Sequence, residues 1–221
     1  SSCSVALWWD GTVVSARKEK MSRGQAEALV PMIHNVLEEA RVMAKDLDLL
    51  AVTVGPGAFT GLRIGLATAR GIALAAHIPC LGLTTTEVIA HGVKASVWQQ
   101  GTLLVALDSK RKDIYVQAFQ IGLEPIKEAC AIDPAILGEW LLSVPGPFYV
   151  VGDARLQATS ALVEAGHEPI VIESPEYPDG SVLAELASQR WTRGDILKAP
   201  LPLYLRPPDA KLPKDGGRLR S

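Results

Sequence analysis

The chain has 221 residues, enough for one large domain or two small ones, each with a buried core. Hydrophobic residues make up 48% and charged residues 21%, as in an ordinary soluble globular protein. The net charge of −2 argues against a general nucleic-acid-binding protein, which needs a strongly basic face.

Cysteine usage and hydropathy restrict the compartment. Cys3, Cys80 and Cys130 lie far apart, with no CxxC pair and no Cys/His cluster. This favours a reducing cytoplasm over a disulfide framework or a zinc site. The chain has no apolar run of the roughly 20 residues that a membrane-spanning helix needs, and no signal-peptide pattern.

The first half of the chain predicts a hairpin, a helix, a strand, a helix, a strand and a closing helix. Asp10-Gly11 between two apolar-rich runs is the strongest short hairpin signal. Pro31 lies inside the first helical pattern, so we expect a late helix start or a kink there. The predicted elements are strands at 4–9, 12–19, 49–54 and 79–83, and helices at 24–43, 60–77 and 85–98.

The second half repeats this order. Asp133-Pro134 is a typical helix start, and Gly194 a typical helix stop. The predicted elements are strands at 102–108, 113–120, 126–132, 148–152 and 169–172, and helices at 134–143, 154–165 and 181–193. We see no sequence repeat, but the topology is duplicated.

A duplicated hairpin-helix-strand-helix unit fits an α/β fold with two ribonuclease-H-like lobes, the actin/sugar-kinase/Hsp70 (ASKHA) architecture. We place the N-terminal lobe, with the partner-binding helices, at 1–100 and the C-terminal lobe at 101–206. The remaining residues, 207–221, form a basic tail rich in Pro and Gly. A disordered, solvated tail and a basic arm that touches a partner are both open readings of it.

The glycine-rich stretch from Thr53 to His77 organises the first half. Thr60 is a candidate N-cap for its helix. Small residues recur on one side of that helix at Gly61, Gly65, Thr68, Ala69, Ile72, Ala73 and Ala76. Each glycine inside a soluble helix costs about 1 kcal/mol relative to alanine, so we expect another backbone to come close.

Three readings of this stretch compete. Phosphate binding is weakly supported, because no Gly-Lys-Ser/Thr ends the loop and the spacing GxGxxxG departs from the dinucleotide fingerprint. Close packing inside one domain and a helix–helix interface with another subunit remain open.

The run Gly55-Pro-Gly-Ala-Phe-Thr-Gly-Leu-Arg-Ile-Gly65 resembles the signature of the bacterial TsaB (YeaZ) family, which was once grouped with the glycoproteases (M22). The resemblance extends from about residue 1 to residue 208 and implies the ASKHA fold. In that family an Ile-Asp-Thr strand precedes the position of Ser1. We therefore expect the first strand of lobe one to be missing here.

The resemblance also implies a function. TsaB is a cytoplasmic, non-catalytic scaffold that pairs with TsaD and supports binding of the ATPase TsaE, and it is a homodimer when alone. The complex transfers a threonylcarbamoyl group to the adenosine 3′ to the anticodon of ANN-decoding tRNAs, so this chain would meet tRNA only indirectly. The contact helices would be 25–39 and 60–77. The expected interface residues are Glu27, Val30, His34, Phe59, Thr60, Gly61, Arg63, Ile64, Gly65, Thr68, Ala69 and Ile72.

We predict no catalytic residue, metal or cofactor. The histidines are scattered, there is no GxSxG elbow, and Gln25-Ala26-Glu27 stands where the catalytic relative TsaD has a metal-binding HxxxH. A vestigial nucleotide cleft could involve Gly55, Gly57, Asp108 and Tyr115. The alternative is a solvated turn beside a core tyrosine.

The C-terminal run Leu203-Tyr-Leu-Arg206 matches the family, and we read Tyr204 and Arg206 as packing and capping residues. Two other functions stay open at this point. One is a small-molecule kinase or ATPase of the ASKHA fold, and the other is direct tRNA binding through the tail.

Overall fold

The computed structural model describes residues 2–21, 23–195 and 199–206. In these residues the strands are β1 (Ser2–Trp9), β2 (Thr12–Lys20), β3 (Leu50–Thr53), β4 (Cys80–Leu83), β5 (Thr102–Asp108), β6 (Ile114–Phe119), β7 (Pro125–Ile132), β8 (Phe148–Val151) and β9 (Ile170–Val171). The α-helices are α1 (Gln25–Ala40), α2 (Phe59–Ala76), α3 (Thr85–His91), α4 (Leu137–Trp140), α5 (Arg155–Glu164) and α6 (Gly180–Arg193).

The C-terminal half is built on a five-stranded sheet in the order β7-β6-β5-β8-β9. The central strand β5 runs antiparallel to β6 and parallel to β8. Leu104 and Ala106 pack into one core cluster beside α5, while Leu103 and Val105 pack into another beside Ile89 of α3. Because both faces of β5 are covered, its sequence is a continuous apolar run and does not alternate.

The N-terminal half contains two separate strand pairs, β1 with β2 antiparallel and β3 with β4 parallel. The β1–β2 turn is the expected Asp10-Gly11 hairpin, with both residues at positive φ (47° and 83°). Helices α1 and α2 pack against these strands and each other, and α6 packs against them as well. Among the described residues β1 pairs only with β2 and β3 pairs only with β4.

The two halves share a pattern of strand pairing. Each contains an antiparallel pair, β1–β2 or β6–β7, and a parallel pair, β3–β4 or β8–β9, and in the C-terminal half β5 joins the two pairs. Gly55 lies two residues after β3 and Gly152 directly follows β8, and their φ angles are nearly the same, +110° and +109°. These values lie in a region that L side chains rarely adopt, so the same backbone turn leads from strand to helix in both halves.

Two helices pack on the half of the chain to which they do not belong in sequence. α6, which follows the C-terminal sheet in the chain, packs on the N-terminal strands through Leu186 and Ala187. α3, which precedes the C-terminal sheet, contributes Ile89 and Ala90 to its core. A cut at residue 100 would therefore separate α6 from the strands it covers. The division at 1–100 and 101–206 stays a prediction, and the predicted tail 207–221 lies outside the described residues.

Two helix starts differ from the predictions. α2 begins at Phe59, after Ala58, which forms no side-chain cap, so the prediction of Thr60 as the N-cap was wrong. α1 begins at Gln25 and continues through Pro31, so no late start occurs. Proline inside a helix removes one backbone hydrogen bond and crowds the preceding turn. Packing of the apolar face of α1 compensates for this cost, so the helix continues through Pro31.

Two other helices are shorter than predicted. α3 ends at His91, before Gly92, and does not continue to residue 98. The predicted helix at 134–143 is a turn of 3₁₀ helix followed by α4, although Asp133 caps it as expected by accepting a hydrogen bond from the Ala135 N–H. The predicted stop at Gly194 is confirmed, since this residue ends α6 with φ 73°. None of the described helices is long and apolar enough to cross a membrane.

Candidate functional site

The outward side of α1 and the first turns of α2 carry exposed residues of the predicted interface. Val30 is 57% exposed and Phe59 is 50% exposed. The other exposed members of the predicted set are Glu27, His34, Thr60 and Arg63. Single exposed apolar side chains are common on protein surfaces, so the exposure of Val30 and Phe59 is compatible with the predicted interface but does not by itself mark one. We call these six residues the partner face.

Phe59 and Arg63 form a small cluster with the C-terminal segment. The Arg63 guanidinium lies 3.7 Å from the centre of the Phe59 ring, and its Nε donates a hydrogen bond to Tyr204 Oη at 3.0 Å. The Phe59 and Tyr204 rings are 5.4 Å apart. Aromatic residues and arginine are enriched at interfaces, and this cluster presents both in a preset geometry. It also confirms Tyr204 as a packing residue.

The small residues on one side of α2 differ in how deeply they are buried. Ala69 is only 6% exposed and packs with Val52 and Leu66, so burial disfavours it as a contact residue, and its place in the interface stays a prediction. The remaining predicted members on this side are half-buried: Gly61, Ile64, Gly65, Thr68 and Ile72. A helix period places Ala69 near these residues, but the β3 strand lies beneath it.

The helix glycines have no close neighbour in the described chain. A Cβ built at Gly61 meets nothing within 4 Å, and one built at Gly65 meets only a Val52 methyl group at 3.8 Å. Close packing inside the described chain therefore does not explain either glycine. What lies against them is a cavity of about 870 Å³.

This cavity extends from the gap between β1 and β3 to the boundary between the two halves. Its apolar walls come from α1, α2 and α6, for example Ile33, Ile72 and Leu183. At the other end it reaches Gly57 of the glycine-rich turn and the charged residues Asp108, Lys110 and Asp153. The cavity thus has a long apolar part and a short polar end.

The polar end holds two carboxylates whose pKa values are shifted in opposite directions. The Asp108 N–H donates a hydrogen bond to Asp153 Oδ1 at 2.8 Å, and Lys110 Nζ lies 2.5 Å from Asp108 Oδ2. Burial disfavours ionisation of Asp108, but hydrogen bonds from Lys110 outweigh it and lower the pKa of Asp108. Burial dominates at Asp153 and raises its pKa.

Only part of the predicted nucleotide cleft comes together. Gly57 and Asp108 both line the cavity. Gly55 is instead buried under the C-terminal segment, where a built Cβ would lie 2.8 Å from the Leu203 carbonyl oxygen. Tyr115 packs against the core of the C-terminal half. The geometry therefore favours the alternative reading of Tyr115 as a core tyrosine.

The described residues offer no cluster of three or more His, Cys, Asp or Glu side chains arranged to hold a metal ion. The three cysteines are free, and burial raises the pKa of each thiol, which makes them weak nucleophiles. The arrangement places exposed residues of the predicted interface beside a large cavity.

Sequence reasoning missed the role of residues 199–206. Leu203 donates its N–H to the Val54 carbonyl oxygen at 2.7 Å and joins the core cluster beside α2. Arg206 forms an ion pair with Asp113, between β5 and β6, so it does not act as a helix cap. These contacts join residues more than 90 positions apart in sequence, and no local sequence pattern predicts them.

These features define an α/β protein whose halves each contain an antiparallel and a parallel strand pair, with exposed apolar side chains on its N-terminal helix pair. Comparison with known proteins narrows the class. Residues 13–166 match the family model described as TsaD, tRNA N6-adenosine threonylcarbamoyltransferase. The chain is 32% identical over 215 residues to the tRNA threonylcarbamoyladenosine biosynthesis protein TsaB of Escherichia coli strain K12, with 92% of this chain and 90% of that protein covered.

Solved structures agree. YeaZ from Pseudomonas aeruginosa is 26% identical with a TM-score of 0.75, covering 92% of this chain and 94% of that one. An uncharacterized P. aeruginosa protein described as similar to the peptidase YeaZ is 27% identical with a TM-score of 0.76, covering 93% and 94%. The chain therefore belongs to the TsaB (YeaZ) family, as the run 55–65 indicated.

Proposed function

We propose that this chain is a non-catalytic scaffold subunit of tRNA threonylcarbamoyladenosine biosynthesis, acting in the cytoplasm. It pairs with a TsaD protein through α1 and α2 and supports binding of the ATPase TsaE to the pair. tRNA is met through the complex. Membership of the TsaB family supports the pathway, since the E. coli relative carries that name.

The observation that carries the pairing is the partner face. Val30 and Phe59 are half or more exposed on neighbouring helices, and Arg63 stacks on Phe59. Burying such side chains against a second protein removes apolar area from water at about 25 cal/mol per Å². Gly61, whose Cβ would meet nothing, lets a partner helix approach this region closely.

Similarity between the chain and its partner supports the geometry. The chain itself matches the TsaD family model over residues 13–166, which supports a related fold in the two proteins. Related folds can pair through the same patch on each, as in a two-fold symmetric dimer. A second copy of this chain would then cover the partner face when TsaD is absent.

The architecture we propose is the ASKHA one, with two ribonuclease-H-like lobes. The shared pattern of strand pairing and the matched turns at Gly55 and Gly152 support two equivalent lobes. In this view the first lobe lacks one strand, between β1 and β3.

An ASKHA kinase or ATPase remains the second candidate, supported by the polar end of the cavity. Gly57 lies there with the carboxylates of Asp108 and Asp153, a combination that could face a metal-bound phosphate. Sustained ATP hydrolysis by the isolated chain would favour this candidate over the scaffold.

The test is size-exclusion chromatography with light scattering, on the chain alone and mixed with the TsaD of the same genome. We expect a homodimer that exchanges into a one-to-one heterodimer, which TsaE then joins. A chain whose mass is unchanged by TsaD would overturn the proposal. Gly61→Arg should abolish this pairing while the chain stays folded.

A further inference from the structure

Residues 199–206 cross the N-terminal half beside α2, and we call these eight residues the strap. The Leu203 N–H donates a hydrogen bond to the Val54 carbonyl oxygen at 2.7 Å. Four residues into the second half of α2, the Arg70 guanidinium donates to the Pro200 carbonyl oxygen. The backbone of the strap is therefore fixed both to α2 and to the residue that follows β3.

Two glycines let the strap come close to the strands beneath it. A Cβ built at Gly82 of β4 would lie 2.9 Å from the Pro200 Cα, and one built at Gly55 would lie 2.8 Å from the Leu203 carbonyl oxygen. A side chain at either position would push the strap away from the sheet. The path of the strap is thus determined by close backbone packing, and its outward side chains have defined positions.

Tyr204 is the outward side chain of the strap that meets α2, and it is 44% exposed. Its Oη accepts the hydrogen bond from Arg63 Nε at 3.0 Å, and its ring lies 5.4 Å from that of Phe59. The Arg63 guanidinium in turn lies 3.7 Å from the centre of the Phe59 ring. Arg63 is therefore held at its Nε by a hydrogen bond and above an aromatic ring by a cation–π contact.

The Nη1 and Nη2 groups of Arg63 are left for another molecule. Within the part of the chain that the structure describes, Arg63 donates a hydrogen bond to Tyr204 alone and pairs with no carboxylate. The side chain is exposed, so a second protein can reach these groups. A guanidinium presents its N–H groups in a planar fork that a carboxylate accepts through two parallel hydrogen bonds. An arginine that is already oriented loses less conformational entropy when it binds such a ligand.

We propose that Arg63 binds an Asp or Glu carboxylate of the partner protein, and that Tyr204 is a positioning residue that orients the guanidinium for it. The strap is then a third element of the docking surface, beside α1 and α2. This inference rests on the proposed function, since it takes the partner to be TsaD. Continuity supports that choice, because Arg63 belongs to the partner face and Tyr204 contacts both Arg63 and Phe59.

The test is a double-mutant cycle, measured by calorimetry with TsaD, on Arg63→Gln, Tyr204→Phe and the double variant. Tyr204→Phe keeps the aromatic ring and removes only the acceptor. We expect Arg63→Gln to weaken binding at least about tenfold, and Tyr204→Phe about two- to tenfold. In the double variant the loss of the hydroxyl should add nothing, because the group that it orients is gone. Independent effects of the two substitutions, or no effect of Tyr204→Phe, would overturn the positioning role.

Matched controls make the same chemical changes outside the predicted interface. Tyr177→Phe lies before α6 and Arg193→Gln at its end, and both variants should bind TsaD as the wild type does. Raising NaCl from about 0.05 M to about 0.5 M should weaken binding of the wild type more than that of Arg63→Gln, because salt screens an exposed ion pair. A Tyr204→Phe variant with a lower melting temperature and unchanged affinity would show a structural role only.

Charge reversal tests for the carboxylate itself. Arg63→Glu should lose TsaD binding, and changing one exposed Asp or Glu of TsaD to Lys should restore it. If none of these TsaD variants, made one at a time, restores binding, the carboxylate assignment is wrong. It is also wrong if the substitutions at Arg63 disrupt a homodimer of this chain and leave the affinity for TsaD unchanged, since the ligand then lies on a second copy.

The same titrations separate this inference from the proposed function. A wild-type chain that does not bind TsaD overturns both. Tight binding of the wild type together with equally tight binding of Arg63→Gln overturns the inference alone and leaves the scaffold function standing.

Discussion

Gly61→Arg places a long, charged side chain in the predicted interface with little change to the rest of the fold. A Cβ at this position meets nothing within 4 Å, so the new side chain does not collide with the described chain. Replacing a helix glycine with arginine gains up to about 1 kcal/mol in helix propensity. Gly61 lies in the first turn of α2, where a positive charge costs about 0.3–1 kcal/mol. The two effects nearly cancel, so the melting temperature should stay close to that of the wild type.

The effect on pairing is much larger. A long side chain forced into a packed interface costs about 1–3 kcal/mol, and desolvation of the guanidinium adds to it. A total of about 3 kcal/mol weakens binding a little more than 100-fold. Isothermal titration calorimetry of TsaD into the variant measures this directly.

Gly71→Arg is the matched control. Gly71 is in the same helix, is exposed, and its Cβ also meets nothing within 4 Å, but it lies outside the predicted interface. We expect this variant to bind TsaD as the wild type does. Equal affinity of the two variants, with both folded, would refute the placement of the interface at Gly61.

Three further outcomes follow from particular contacts. Arg63→Ala removes the stack on Phe59 and should weaken TsaD binding in calorimetry. Because the cluster is exposed, the free energy of unfolding should change by less than about 1 kcal/mol. Unchanged binding would contradict a role of Arg63 in pairing. Arg190→Met should cost about 1–3 kcal/mol in urea unfolding at pH 7, because it leaves the partly buried Glu87 unpaired. Burial opposes ionisation of Glu87, but bonds from Thr84 and Arg190 outweigh it and lower its pKa, so this cost should shrink as pH falls below about 4.5; a cost independent of pH would contradict the pairing. Leu104→Ala, at a fully buried position in β5, should cost about 2–5 kcal/mol in the same assay, and a loss under 1 kcal/mol would mean that this core is poorly packed.

Local patterns were sufficient for many features of the fold. Asp10-Gly11 predicted the first hairpin because few other dipeptides accept positive φ at both positions. The apolar run at 102–108 predicted the strand β5, and Gly194 predicted the end of α6. The run 55–65 identified the family, because a near-match over eleven residues is highly specific.

Other features depend on what lies opposite a residue, which no local pattern contains. Ala69 and Gly61 share one side of α2 in the helical period, yet β3 lies beneath the first and an open cavity beside the second. The Phe59–Arg63–Tyr204 cluster joins residues distant in sequence, and its existence required the path of 199–206 across β3.

By itself the sequence determined the family, the order of the elements and most of their ends, because these follow from backbone preferences and apolar periodicity over a few residues. Tertiary structure alone decided which small residues of α2 are core and which face open space. It also decided which half each of α3 and α6 packs on, and that β1 and β3 both line one large cavity. Each of these depends on contacts between distant segments, where burial of apolar area and pairing of backbone groups are satisfied jointly.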